Sequence, residues 1–61
     1  MKKIEICLEI KAETTKSYLF SDGVFEEWIP KSQIELDQDG GIGDTVIVTM
    51  PEWIAEDRGF I

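Results

Sequence analysis

Apolar and polar residues alternate strictly over residues 3–12. Ile4, Ile6, Leu8, Ile10 and Ala12 fall on one side, and Lys3, Glu5, Cys7, Glu9 and Lys11 on the other. Successive side chains of an extended chain point to opposite faces, so this period predicts a long, half-buried strand. A polar break at Glu13-Thr14-Thr15 leads to a second strand over residues 16–20, with Tyr18 and Phe20 on one face and Leu19 on the other. Ser21-Asp22-Gly23 predicts a turn, because aspartate bonds its own backbone and glycine accepts a positive φ. A third strand over residues 24–29 completes a hairpin. Its Glu26-Glu27 pair puts an acid on each face, which predicts a bulge or an edge position.

Pro30 then ends the strand, since it has no amide hydrogen and a fixed φ. Lys31-Ser32-Gln33 has room for a single tight 3₁₀ turn. Residues 33–36 resume an alternating pattern, which predicts a short fourth strand leaving at a new angle. The segment 37–44 carries three glycines and three aspartates and reads as a loop, with Ile42 turned inward and Gly43-Asp44 forming a tight lead-in. The β-branched run over residues 45–50 predicts the fifth strand. Pro51 suits the start of a helix, Glu52 its positive end and Gly59 its cap, with Phe60 folding back. Two turns are marginal alone, so the helix must dock, and Trp53 is the side chain expected to dock it.

The core expected from this pattern is Ile4, Ile6, Leu8, Ile10, Leu19, Trp28, Ile34, Val46, Val48 and Trp53. If Trp28 is core, Trp28→Ala costs about 3–5 kcal/mol. If it is a binding platform, the same change spares the fold and abolishes binding.

Sixty-one residues make one domain, 1–61, with a thin core. The lone Cys7 excludes an internal disulfide, and with no histidine a zinc site has no ligand set. Glutamates in Ile-Glu-Ile-Cys-Leu-Glu break any signal-like apolar run, so a reduced, cytoplasmic protein is expected, outside any membrane. Catalysis is not expected: Ser17, Ser21 and Ser32 lack an obvious base, and adjacent Glu26 and Glu27 face opposite ways. Asp37-x-Asp39-Gly40 resembles the start of a calcium loop, but glycine and glutamate do not fall at the sixth and twelfth positions that an EF-hand needs. No cofactor or metal is expected.

Thirteen acids against six basic residues give a net charge of −7. The imbalance is uneven, at +1 over residues 1–21 and −8 over residues 22–61. The second part repels nucleic acid at long range and attracts basic surfaces. The expected contact face comprises Glu26, Glu27, Glu35, Asp37, Asp39, Asp44, Glu52, Glu56 and Asp57. Its partner would be a protein with a basic surface, such as a nucleic-acid-processing or host-defence protein if the carboxylates mimic phosphate spacing. The alternative is a small barrel that binds single-stranded nucleic acid by aromatic stacking, through Tyr18, Phe20 and Trp28 with Lys11, Lys16 and Lys31. Self-association is a third expectation, a homodimer through the first strand or the edge over residues 24–29.

The run Pro30-Lys31-Ser32-Gln33-Ile34-Glu35-Leu36 resembles the one-turn corner before the last strand of SH3-like barrels. The Ala-Leu-Tyr-Asp-Tyr-like run of true SH3 domains is absent, so proline-peptide binding does not carry over. The chain also resembles a group of small phage and prophage proteins, on Lys11-Ala12-Glu13-Thr14, Trp28-Ile29-Pro30-Lys31-Ser32-Gln33-Ile34, and Gly43-Asp44 through Pro51-Glu52-Trp53-Ile54-Ala55. That resemblance implies origin and a compact fold, and no catalytic residues. The expected fold is mainly β, a small five-stranded SH3-like barrel or bent antiparallel sheet with a short C-terminal helix.

Overall fold

A computed structural model describes residues 2–61. Five strands, β1 (Lys3–Glu13), β2 (Ser17–Ser21), β3 (Glu26–Pro30), β4 (Glu35–Leu36) and β5 (Thr45–Pro51), precede a helix, α1 (Glu52–Asp57). All pairings are antiparallel, and the sheet order is β3-β2-β1-β5-β4. The long alternating segment lies at the centre, with residues 3–9 paired to β5 and residues 9–13 paired to β2. The edges are β3 and β4, so the sheet is not closed.

The corner forms as the sequence predicts. Pro30 ends β3 at φ −62°, Lys31–Gln33 makes one 3₁₀ turn, and Ile34 returns to extended geometry. This short link joins the two edge strands. The five Cα steps from Pro30 to Glu35 span at most about 18 Å, whereas the edges of a flat five-stranded sheet lie about 19 Å apart. The sheet must curl to let the corner close. Ile29, at the inner end of β3, is fully buried beside it.

The phase of the β2–β3 hairpin is the reverse of the expectation. Phe20 and Ile29 are 0% exposed and sit in the core, while Leu19 lies opposite Trp28 on the outer face. Trp28 is 45% exposed. The pairing of buried Ile10 with Phe20 sets this phase, and a bulge just beyond it, where Ala12 rather than Lys11 meets Leu19, moves Ala12 to the outer face. Both faces of the hairpin carry apolar residues, so alternation alone left the choice open.

The buried core is Leu8, Ile10, Phe20, Ile29, Val46, Val48, Met50, Ile54 and Ala55, with Ile4, Ile6, Tyr18, Ile34, Leu36 and Phe60 packed against it. Trp53 does not dock the helix and is 54% exposed. Pro51 is buried as the last residue of β5, so the helical period from there turns Ile54 and Ala55 inward and Trp53 outward. The helix ends as expected. Gly59 has φ +84°, its amide donates to the Glu56 carbonyl, and the Phe60 amide donates to the Ala55 carbonyl. That is a Schellman cap, and it lays Phe60 against Phe25, with ring centroids 5.2 Å apart.

Two loops complete the frame. Asp22 Oδ1 accepts from the amides of Val24 and Phe25, so β3 begins at Glu26, two residues later than expected. Gly41 to Asp44 forms a hydrogen-bonded turn with Gly43 at φ +96°. Gly43 then donates to the Ile10 carbonyl while the Ile10 amide donates to Asp44, a glycine bulge that starts β5. Ile42, at the tip, is 68% exposed rather than turned inward.

Candidate interaction surface

Register places side chains on the outer face in cross-strand rows. Trp28, Leu19 and Ala12 form one row, and Glu26, Ser21, Glu9 and Thr45 form the next. Beyond them Cys7 lies opposite Ile47, both exposed. Ser21 is buried and its Oγ accepts from the Gly23 amide at 3.0 Å. A depression of about 520 Å³ opens above this second row, lined by Glu9, Lys11, Ser21 and Glu26 with the Gly23-Val24-Phe25 turn.

The nine carboxylates expected as one contact face are not one surface. Asp37 Oδ1 accepts from the Ile47 amide and so continues the β4–β5 ladder, and Asp44 Oδ2 accepts from the Gly41 amide inside its turn. Glu35 pairs with Lys3 at 3.9 Å, Glu52 with Lys2 at 3.2 Å, and Asp57 with Arg58. Glu26 points to the outer face and Glu27, opposite Phe20, to the inner. Among the described residues, Glu26, Glu27, Asp39 and Glu56, together with Glu5, have neither an ion pair nor a side-chain hydrogen bond.

The cations are distributed the opposite way. Lys2, Lys3, Lys11, Lys31 and Arg58 each lie against a carboxylate, and among the described residues only Lys16 does not. The charges are countable in the sequence, but most of the pairs join residues distant in the chain.

The stacking face expected for nucleic acid is also divided. Phe20 is buried and offers no ring face. Tyr18 lies against Phe20 at 5.4 Å, and Lys31 Nζ sits 4.7 Å from its ring centroid. Trp28 is on the other side of the sheet, and Lys11 is paired with Glu9 at 3.5 Å. What the fold does bring together is Lys16 and Lys31, which flank a groove at the corner with Thr15, Ser17, Pro30 and Ser32.

Among the described residues, no group of three Asp, Glu or Cys side chains converges as a metal site requires, and no helix is long and apolar enough to cross a membrane. Comparison of the chain with protein-family models, curated proteins and solved structures gives no match.

Proposed function

We propose that the chain is a non-catalytic acidic interaction module, of phage or prophage origin and on an SH3-like scaffold, that binds a protein partner with a basic surface. The observation that supports this most is the asymmetry of ion pairing. Five of its six cations lie beside a carboxylate of the same chain, while among the described residues Glu5, Glu26, Glu27, Asp39 and Glu56 have no such partner. Such a surface draws basic partners and repels phosphates. The exposed indole of Trp28 adds an aromatic anchor of the kind that carries binding energy at protein interfaces.

Two experiments test it together. Gel shifts with single-stranded DNA and RNA near about 100 mM salt should show no binding, and a shifted band contradicts the proposal. Recovery of partners from host lysate should fall for a variant with Glu26, Glu27, Asp39 and Glu56 changed to lysine. Undiminished recovery of every partner counts against the acidic surface.

A further inference from the structure

Two adjoining rows on the outer face differ in chemistry. The row Trp28–Leu19–Ala12 is apolar and partly open to water. The row Glu26–Ser21–Glu9 places a carboxylate on either side of a small hydroxyl, each about 4.8 Å away across the strands. Because Ser21 is short and buried, the space above it is the depression between the two carboxylates. Along β3, Trp28 and Glu26 are two residues apart, or about 6.7 Å. That distance is also the same-face spacing of any extended peptide.

We infer that the two rows form one site for an extended peptide segment carrying an apolar residue and an arginine two positions apart. The apolar side chain rests on Trp28 and Leu19, and the guanidinium lies over Ser21 between Glu26 and Glu9. This deepens the proposed function and rests on it, since it names the partner's chemistry and the patch that reads it. Arginine fits better than lysine because its planar fork meets two carboxylates with several fixed donors, where an ammonium is a single point. The segment lies over the face rather than adding to the sheet, because the free edge of β3 is obstructed. The Lys31 amide bonds the Lys16 carbonyl, so by alternation Pro30 and Trp28 turn their backbone groups away from β2. Pro30 has no amide to offer there, and the Trp28 carbonyl is taken by Arg58. Lys11, 3.5 Å from Glu9, is the internal cation that the guest arginine displaces.

The test uses two blocked pentapeptides of identical composition, Arg-Ser-Leu-Ser-Arg and Ser-Arg-Leu-Arg-Ser. The first presents leucine and arginine on one face in either chain direction, and the second puts them on opposite faces. In an amide and indole NMR titration, the first should bind about fivefold or more tighter, and shift the Trp28 indole and Ser21 amide. Glu26→Gln should weaken it by a similar factor, and Lys11→Met should strengthen it. Equal binding of the two peptides, an indifferent Glu26→Gln, or shifts confined to other surfaces overturn the site. If both peptides bind equally and salt-dependently, the site falls while the basic-partner reading stands. If neither binds, the site also falls, and that reading is judged by its own charge-reversal experiment.

Discussion

The Arg58 Nε donates a hydrogen bond to the backbone carbonyl of Trp28 across 3.2 Å. One residue follows helix α1 and the other sits on the free edge of β3, thirty positions earlier. The bond ties the C-terminal segment to the hairpin and occupies an acceptor that an added strand would need. Exposed edges invite pairing with another chain, and this one is closed by an arginine, a proline and carboxylates.

Arg58→Ala should therefore have two effects. Stability should fall by about 1 kcal/mol, the net worth of an ordinary hydrogen bond. The freed edge should also raise self-association, which sedimentation over a concentration series would detect. A variant that stays monomeric with unchanged stability shows that the bond guards nothing.

Gly40 is where the loop meets the core. A Cβ there would stand 2.8 Å from Val46 Cγ1 and 3.3 Å from Ile10 Cδ1, both on buried side chains. Gly40→Ala should cost about 1–3 kcal/mol through overpacking. Gly41→Ala is the control, since its nearest neighbour is the Asp44 carboxylate at 3.9 Å. Equal melting temperatures for the two variants contradict the placement of this loop.

The parts of the fold that were legible are those specified by local chemistry. Pro30, three polar residues and Ile34 leave the chain little choice but a one-turn corner. Asp22 and Gly23 set the hairpin turn, and Gly59 followed by Phe60 sets the Schellman cap. The central strand was legible because only one of its faces is apolar. The hairpin phase was not, because Leu19 alternates with Phe20 and Trp28 with Ile29, and the register that sets Phe20 against Ile10 is a contact between strands rather than a local signal. Trp53 was misplaced because the helix takes its phase from Pro51, whose burial belongs to the sheet.

The candidate site divides in the same way. That the surface is acidic follows from composition. That Asp37 and Asp44 serve backbone amides, or that Glu35 and Glu52 answer Lys3 and Lys2, follows only from register and turn geometry. The outer rows follow from strand register, and the Trp28–Leu19–Ala12 row also from the bulge beside Lys11.

Phe20 now takes the role the sequence suggested for the indoles. It is 0% exposed and is flanked by Ile10 in β1 and Tyr18 on the same face. Phe20→Ala should cost about 3–5 kcal/mol, enough to unfold a domain whose whole stability is of that order. Loss of dispersed amide resonances would report it. A folded variant would mean that the hairpin turns its other face inward.

The most direct measurement is the equilibrium unfolding of Trp28→Ala beside the native chain, followed by amide dispersion rather than by tryptophan fluorescence. An indole facing outward for a partner predicts a folded variant that loses less than about 1 kcal/mol. A loss of about 3–5 kcal/mol would mean that Trp28 is core after all, and would remove the surface on which the proposed contact depends.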